Sequence, residues 1–265
     1  MKEQILSQLS PAYPWKDRLH WFDSIGSTND EAKRMALAGA PHGTVLIADH
    51  QTGGHGRLGR SFHSPEGVGI YLSIILRPDC APQALMHLTC AVAAAMCDAV
   101  ERSAGFRPGI KWTNDLVFGK RKLGGILTGL GLSPTGTVDY AIIGIGINCC
   151  QTAGDFPEDI RHMAGSLSMI TGKPIDRSRV AAAMMEALWK MDSKLLTEKA
   201  TMLHAYRRDC ITLGQDVVLV RGEEIRHGHA LDIDDAGALI VRFSDGNTEI
   251  VNSGEVSVRG MYGYV

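Results

Sequence analysis

The sequence predicts an α+β fold, in which a mixed β-sheet with flanking helices is followed by a small β-barrel-like module. Two observations support this prediction. Strand-like apolar runs alternate with helical patterns through the first 212 residues, and short alternating strands with glycine and aspartate turns replace them beyond Gly214. We therefore predict a large domain over residues 1–212 and a small one over residues 213–265, a usual division for a chain of 265 residues.

Composition and charge narrow the classes of function. The chain is 45% hydrophobic and 21% charged, which is typical of a soluble globular protein, and its formal net charge is −2. This charge gives no electrostatic reason to bind DNA, RNA or a membrane surface, so an anionic ligand must be met by a local cluster of cations. The N-terminus lacks the apolar core of a signal peptide and no apolar run spans a membrane uninterrupted, which predicts a cytoplasmic protein.

The cysteines and histidines do not predict a metal site or a disulfide framework. None of the six cysteines forms a C-x-x-C pair, and their irregular spacing is typical of buried free thiols. His227 and His229 alternate on one strand of the small module but have no evident third ligand. We therefore predict no metal ion held by a dedicated set of protein ligands.

The first elements of the large domain are a strand, a helix and a second strand. HWFDSI, from His20, has the character of a short strand, and the serine and threonine of Ser27–Asn29 are good residues to cap the helix that follows. Two acidic residues then suit the positive end of its first turn. The helix is expected to end near Gly39, and TVLIADHQ, from Thr44, predicts a buried strand.

A glycine-rich segment, from Thr52 to Gly67, is the first candidate for a functional site. It contains five glycines and little apolar content, so it cannot supply a core element and must be a long loop. Its glycines allow the backbone to approach a ligand closely, while Arg57 and Arg60 supply permanent cations suited to phosphate or carboxylate. The segment is neither a P-loop nor a dinucleotide-binding fingerprint, and taken alone it is equally well explained as a flexible surface loop.

Further strands and helices follow in alternation. VGIYLSIILRP, from Val68, predicts a strand and ALMHLTCAVAAAMCDAVE a helix; GIKWTNDLVF, KLGGILTGLGLS and TVDYAIIGIGIN then predict three consecutive strands. The pattern is helical from Asp176 to about Cys210. QDVVLVRG, EIRHGHALDID, GALIVRF and TEIVNS predict four short strands of the small module.

Charged residues cluster from Lys111 to Leu127, in KWTNDLVFGKRKLGGIL. If this segment begins as one strand, Lys111, Thr113 and Asp115 share a face. Lys120, Arg121 and Lys122 follow at a turn, and taken alone they are better explained as the solvated basic tip of a hairpin than as a site.

Glycines also interrupt the buried strand IIGIGIN, which ends at Asn148. Glycine inside a strand indicates the close approach of a ligand or of another part of the chain. Asn148 offers both a donor and an acceptor. Tight internal packing explains these residues at least as well as ligand binding does.

Taken in order, these motifs resemble the biotin–protein ligase family. The matching segments are Ser27–Asn29, Gln51-Thr52 with GGHGRLGR, KWTNDL, KLGGIL, GIGIN, G-A-L at Gly237 and G-E-V-S-V-R at Gly254. The resemblance covers roughly residues 20–260, and its several ordered motifs make it more specific than any single match. It implies a mixed-sheet catalytic domain, an SH3-like C-terminal domain, and an enzyme that makes biotinyl-5′-AMP from biotin and ATP and then biotinylates a lysine of a carrier protein.

The resemblance implies catalytic roles for Lys122, Arg57, Asp115 and Lys111. Biotin carboxylate must attack the α-phosphate of ATP, and preorganised cations in a dehydrated site overcome the repulsion between these two anions. Lys122 is the expected main cation, with Arg57 on the phosphates and Lys111 assisting. Mg²⁺ is expected to bridge phosphate oxygens with few direct protein ligands. Asp115 is expected to orient or deprotonate the acceptor amine, or to contact magnesium; the sequence does not separate these roles.

Two further residue sets follow from the resemblance. The biotin-binding set is Ser27, Thr28, Asn29, Gln51, Gly54, His55, Arg57, Lys122 and Gly125. The ATP-binding set is Arg57, Arg60, Phe62, Lys111, Asn114 and Asn148. Gly125 is expected to leave space for the biotin rings, Asn148 to face the adenine or ribose, and Phe62 to cover the adenine.

The chain departs from the family pattern in the glycine-rich segment from Thr52 to Gly67, hereafter the glycine loop. The family often has G-R-G-R-x-G-R, whereas here His55 stands for the first arginine and Leu58 for a residue that is often basic. A permanent cation is thereby replaced by a side chain whose charge depends on pH, which puts loop ordering and adenylate retention in question. About twenty residues precede the first core strand, too few for the helix-turn-helix that some members carry, so we expect a single-function ligase without DNA binding.

Three other functions compete with biotin ligation. Lipoate or octanoate transfer is the nearest alternative, because the enzymes that catalyse it resemble the same fold. A fatty-acyl ligand, however, does not need the polar contacts of Ser27, Thr28 and Gln51. A non-catalytic biotin-binding protein would be expected to lack the Lys122 or Arg57 cation, and an RNA-binding module would need a basic surface. The expected partner is the carrier domain of a biotin-dependent carboxylase, and the sequence leaves open whether the chain forms a homodimer.

Overall fold

The computed structural model describes residues 1–252 and 257–260, which form two β-sheets with helices packed against the first. The strands of the first sheet are β1 (Leu19–Ile25), β2 (Thr44–Gln51), β3 (Gly69–Leu76), β4 (Gly109–Lys111), β5 (Asp115–Phe118), β6 (Arg121–Leu132) and β7 (Val138–Asn148). Those of the second are β8 (Asp216–Arg221), β9 (Glu224–Ile233), β10 (Leu239–Phe243), β11 (Thr248–Val251) and β12 (Ser257–Gly260). The sequence motif that begins at Gly254 lies partly outside the described residues.

The first sheet is mixed, as the sequence predicts. Its strand order is β1-β2-β3-β7-β6-β5-β4. The β1–β2 pair is parallel and the remaining neighbours are antiparallel. Helix α2 connects the two parallel strands, because parallel neighbours need a crossover connection. The α+β fold class is therefore confirmed.

The helices cover both faces of this sheet unequally. In the described residues they are α1 (Lys2–Gln8), α2 (Thr28–Leu37), α3 (Leu88–Ala104), α4 (Glu158–Arg161), α5 (Leu167–Thr171), α6 (Arg177–Asp192) and α7 (Lys199–Asp209). Helices α3 and α6 pack together against one face in the main hydrophobic core, which α1 and α7 extend. Helix α2 packs alone on the other face, over a small cluster that includes Ala32, Ala36 and Tyr140. Alternation along each strand places these two cores on opposite sides.

The longest apolar helical stretch, Pro82–Ala104, is long and apolar enough to cross a membrane by length and composition alone. Most of that stretch is buried inside the protein, 72% of its most apolar window. It contains α3, whose alanine-rich surface packs against α6 and α7. It is therefore a core helix of this fold.

The prediction that GIKWTNDLVF forms one strand is wrong, because the segment is a hairpin of two strands. Strands β4 and β5 are antiparallel, with a turn at Trp112–Asn114 and a cis peptide bond between Trp112 and Thr113. Lys111 and Asp115 are nevertheless neighbours, since they are directly opposite each other in the register. Alternation along one strand was the wrong reason, and cross-strand pairing is the correct one.

Other elements also differ from the sequence prediction. The helical pattern from Asp176 to Cys210 is two helices, α6 and α7, separated by a break at residues 193–198. Helix α1 and the short helices α4 and α5 were not predicted. Because α4 and α5 have only four and five residues, they are too short to give a clear amphipathic period.

The second sheet is antiparallel, with the strand order β11-β10-β9-β8-β12. The first four strands of this module were predicted, and β12 adds a fifth beside β8. Val217, Ala230, Leu239 and Val241 belong to the buried residues of this module. The boundary between the predicted domains, near residue 212, stays a prediction.

Candidate active site

One large cavity, of about 680 Å³, is lined by almost all of the predicted site residues. Those that line it are Ser27, Thr28, Asn29, Gln51, His55, Arg57, Arg60, Phe62, Lys111, Asn114, Asp115, Lys122, Gly125 and Asn148. They come from the start of α2, the end of β2, the glycine loop, the β4–β5 hairpin and strands β6 and β7. This volume is within the usual range for small-molecule sites.

One wall of the cavity is neutral, polar and buried. Ser27 and Thr28 are each 4% exposed, at the start of α2. Ser27 caps the helix by accepting a hydrogen bond from Asp30 N at 3.4 Å, as the sequence predicts. Thr28 N donates to Gln51 Oε1 at 2.8 Å, and Gln51 Nε2 donates to Ser64 Oγ at 3.0 Å. These bonds fix the polar atoms of the wall, which suits a ligand that is neutral and hydrogen-bonding.

Another part of the cavity is cationic. Lys122 Nζ donates to Asp115 Oδ1 at 2.7 Å, and both side chains are partly buried. Lys111 lies across from Asp115 on β4 and is itself 8% exposed. A Cβ at Gly125 would lie 3.5 Å from Lys122 Nζ and from Asp115 Oδ1. Glycine at this position therefore keeps the space beside the ion pair open.

Arg57 brings a further cation from the glycine loop into this region. Its Nη1 donates to Asn114 Oδ1 at 2.9 Å, and Asn114 Nδ2 donates to Ile126 O. Burial lowers the pKa of the Arg57 guanidinium, an effect that the Asp115 carboxylate opposes. In the described part of the chain, four permanent cations and one carboxylate line the cavity. A cavity with this balance attracts anions although the whole chain carries a net charge of −2.

The glycine loop is folded over the cavity. Gly56 N donates to Arg60 O at 2.6 Å, and residues 57–59 form a tight turn in which Leu58 adopts the left-handed conformation, with φ 57°. His55 pairs with Ser61 as an isolated β-bridge, and its Nε2 lies 2.8 Å from Asp30 Oδ2. In this structure His55, the residue that stands for a family arginine, thus contacts the start of α2.

The glycines of the GIGIN strand make room for side chains. The carboxamide of Asn29 lies against Gly144, and the ring of Phe62 lies against Gly146; a Cβ at either glycine would overlap these groups. Phe62 also makes an edge-to-face contact with Tyr71, with ring centroids 6.3 Å apart. The packing interpretation of these glycines is therefore correct, and both packed side chains line the cavity.

Two residues of the predicted ligand sets are placed differently from the rest. Gly54 is not among the cavity-lining residues. The position that a Cβ would take at Gly54 is occupied by Phe62 O and Ser64 Oγ. Asn148 lines the cavity, but its amide is engaged within the protein: Nδ2 donates to Gly165 O at 2.9 Å, and Oδ1 accepts from Gln151. Asn148 thus fixes the segment that follows β7.

That segment supplies cavity residues that the sequence analysis missed. Phe156, Ile160, His162, Met163 and Ala164, around the short helix α4, line the cavity. They are held beside the catalytic candidate because Lys122 N donates to Met163 O at 2.7 Å and Gly165 N donates to Lys122 O at 2.9 Å. No motif or period marks this segment in the sequence, and only its position directly after the GIGIN strand could have indicated that it lies near the site.

The second sheet contacts the hairpin that carries Lys111 and Asp115. Trp112 is 5% exposed, and its Nε1 donates to Gly237 O in the β9–β10 turn at 3.0 Å. Trp112 N donates to Thr212 Oγ1 at 2.9 Å, and Tyr206 donates its hydroxyl hydrogen to Thr113 O at 3.1 Å. The turn of the hairpin is therefore fixed by α7 and by the C-terminal module.

Comparison with known proteins places this architecture among characterised folds. A family model described as "Biotin/lipoate A/B protein ligase family" matches residues 21–148, and a second, "Biotin protein ligase C terminal domain", matches residues 212–259. The chain is 36% identical over 232 residues to the "Bifunctional ligase/repressor BirA" of Bacillus spizizenii, covering 87% of this chain and 71% of that protein.

Two further similar proteins are matched by this chain over most of their own length. The "Biotin--[acetyl-CoA-carboxylase] ligase" of Mycobacterium tuberculosis is 32% identical over 237 residues, covering 87% of this chain and 85% of that protein. The structure "Biotin protein ligase from Aquifex aeolicus in complex with biotin and ATP" superposes with a TM-score of 0.77 at 30% identity, covering 91% of this chain and 98% of that one. The resemblance predicted from the motifs is confirmed, and this chain belongs to the biotin/lipoate A/B protein ligase family and, within it, to the biotin protein ligases.

Proposed function

We propose that this protein is an ATP-dependent ligase that forms biotinyl-5′-AMP and then transfers biotin to a lysine of a biotin carboxyl carrier protein. One observation carries the proposal: a single cavity joins a buried neutral polar wall to a cluster of four permanent cations. The wall suits the uncharged ureido ring of biotin. The cations suit its carboxylate and the phosphates of ATP, which must be brought together for adenylation.

In the first step, a biotin carboxylate oxygen attacks the α-phosphorus of ATP. A new O–P bond forms, the bond to the β-phosphate oxygen breaks, and pyrophosphate leaves with the electron pair of that bond. Lys122 and Arg57 neutralise charge on the carboxylate and the phosphates, and their partial burial strengthens this interaction. Lys111 acts from the neighbouring strand, with Arg60 on the rim of the loop.

In the second step, the neutral amine of the carrier lysine attacks the acyl carbon of the adenylate. An amide bond forms, the acyl–phosphate C–O bond breaks, and AMP leaves. The amine loses a proton, for which Asp115 is the proposed acceptor because it is the carboxylate that lines this part of the described cavity. Lys122 holds Asp115 in place through the 2.7 Å ion pair.

Magnesium belongs to this proposal as part of the nucleotide substrate, where it would offset the negative charge of the phosphates. Asp115 would be the carboxylate of the described cavity wall that could help to hold it. Phe62 is proposed to move from Gly146 onto the adenine, since its ring already lies at the cavity wall. The acceptor is proposed to be the biotin domain of a carboxylase, encountered in the cytoplasm.

ATP–pyrophosphate exchange with the purified protein tests the proposal. Biotin, lipoate and octanoate are added separately as the acid, and incorporation of labelled pyrophosphate into ATP is measured. Exchange with biotin, followed by labelling of a purified biotin carboxyl carrier domain, is the expected result. Exchange with lipoate or octanoate but not biotin would contradict the proposed substrate, and no exchange with any acid would contradict the adenylating activity.

A lipoate or octanoate ligase is the competing function on this fold, and the structure does not favour it. A fatty-acyl chain needs an apolar tunnel, whereas the buried Ser27 and Thr28 and the half-buried Gln51 place polar atoms on the cavity wall. Binding an apolar chain there would leave those atoms without hydrogen bonds from the ligand, which is unfavourable.

A further inference from the structure

A buried serine that does not line the cavity lies directly behind its neutral wall. Ser73, in the middle of β3, is completely buried. Its Oγ lies 2.8 Å from Thr28 Oγ1 and 2.6 Å from Asn29 Oδ1. Both of those neighbours line the cavity, so Ser73 contacts two wall residues from the side opposite the ligand space.

The wall residues are held in one hydrogen-bond orientation. A backbone N–H only donates, so the Gln51 atom 2.8 Å from Thr28 N must be the amide oxygen. Gln51 Nε2 then donates to Ser64 Oγ, and the Ser64 hydroxyl donates to Phe62 O at 2.9 Å. The amide of Gln51 therefore has no freedom to exchange its oxygen and nitrogen.

The single hydrogen of each hydroxyl determines what the wall presents to a ligand. Two polar atoms of the protein, Gln51 Oε1 and Ser73 Oγ, lie within 3.0 Å of Thr28 Oγ1. The Thr28 hydrogen is used by one of them, so toward a ligand the Thr28 oxygen can act only as an acceptor. Because Asn29 Oδ1 is turned to Ser73, the amide nitrogen of Asn29 is directed away from Ser73 as a donor.

We propose that Ser73 is a positioning residue for the ureido ring of biotin. By holding Thr28 and Asn29 from behind, it presents an acceptor oxygen beside a donor nitrogen. A urea carries the complementary pattern, N–H donors beside a carbonyl acceptor. The inference rests on the proposed function, and it assigns ligand recognition to a residue that never contacts the ligand.

Titration calorimetry of the full-length protein with Ser73→Ala tests this role. Biotin affinity is expected to fall roughly 10- to 100-fold, the loss associated with disturbing one or two buried hydrogen bonds. Affinity for ATP is expected to stay within about twofold of the unaltered protein, because the cationic part of the cavity is not touched. Desthiobiotin, which keeps the urea, should lose affinity by the same factor as biotin.

Two further variants separate positioning from general damage to the fold. Ser178→Ala removes a buried hydroxyl that bonds Asp176 at the start of α6, remote from the cavity, and should leave biotin binding unchanged. Ser73→Cys nearly preserves the side-chain volume but donates a weaker hydrogen bond, so it should fold and still lose biotin affinity. This variant keeps the test valid if the alanine variant does not fold.

The outcomes distinguish the two proposals. Unchanged biotin affinity in both Ser73 variants, or equal losses for biotin and ATP, would overturn the positioning role while the ligase function stands. Failure of the unaltered protein to bind biotin would instead overturn the proposed function, and the Ser73 role with it. In a double-mutant cycle with Asn29→Ala, the positioning role predicts losses of biotin affinity that are not additive.

Discussion

Replacing Lys122 with alanine should slow adenylate formation about 10²- to 10³-fold while leaving biotin binding nearly intact. Lys122 Nζ donates a hydrogen bond to Asp115 Oδ1 at 2.7 Å, and the Lys122 side chain is 29% exposed. Arg57 and Lys111 also lie beside Asp115, so removal of the Lys122 amine leaves this carboxylate with cationic neighbours. The variant should therefore fold, and its unfolding midpoint should change little.

The effect on the reaction is expected to be much larger. Lys122 stabilises charge that concentrates on the carboxylate and α-phosphate only as they react, so its loss falls on the transition state. Removing one preorganised electrostatic contact of this type typically costs 10²- to 10³-fold in rate, or about 2.7–4 kcal/mol. Arg57 and Lys111 remain in the cavity and should support the residual rate.

Pyrophosphate exchange at saturating biotin measures the rate, and calorimetry with biotin alone measures binding. Lys120→Ala is the matched control, because Lys120 is an exposed lysine in the turn between β5 and β6, close to Lys122 in the chain, and does not line the cavity. Its exchange rate should match that of the unaltered protein. Exchange by Lys122→Ala within twofold of the unaltered protein would refute the assigned role of Lys122.

Three further predictions concern the loop, the nucleotide region and stability. Trypsin should cut the ligand-free protein within Gly53–Arg60, and biotin with ATP should slow that cleavage; resistance without ligands would contradict a loop that closes on substrate. Gly146→Val should displace the phenyl ring that lies on it and raise KM for ATP more than KM for biotin, whereas equal changes would argue against a nucleotide role. Burial raises the pKa of Asp209, but hydrogen bonds from Arg208 and Arg107 lower it overall, so its stabilising contribution is present above its unfolded pKa of about 3.9 and lost in acid. Denaturation of Asp209→Asn should therefore show a deficit in unfolding free energy at neutral pH that disappears in acid; a deficit independent of pH would contradict this.

The sequence predicted those parts of the protein that local rules determine. Ser27 caps its helix because a hydroxyl at that position satisfies a free N–H, and the strand from Thr44 is buried because its apolar run has no polar face. The ordered motifs located the cavity residues, since each motif places polar or glycine residues at the end of a regular element.

The parts that sequence could not predict depend on tertiary contacts. The pairing of Lys111 with Asp115 requires a turn at Trp112–Asn114 that is fixed by Thr212 and Gly237, about a hundred residues further along the chain. The wall around α4 follows the path of the chain after β7, which no local pattern encodes. In the sequence, Ser73 has no feature that distinguishes it from other strand residues. Its proposed role depends on its contacts with Thr28 and Asn29 at the start of α2.

The hydrogen bond between Trp112 and Gly237 has a consequence for how the chain folds and how it can be re-engineered. A protein cut near residue 212 would keep Lys111 and Lys122 but lose the acceptor of a nearly buried indole N–H, a deficit of roughly 1–3 kcal/mol before any apolar surface is counted. That is a large share of the stability of an average domain. The two sheets should accordingly melt together in one cooperative transition, and grafting a C-terminal module from a relative should succeed only where the donor's β9–β10 turn offers a carbonyl at the position of Gly237.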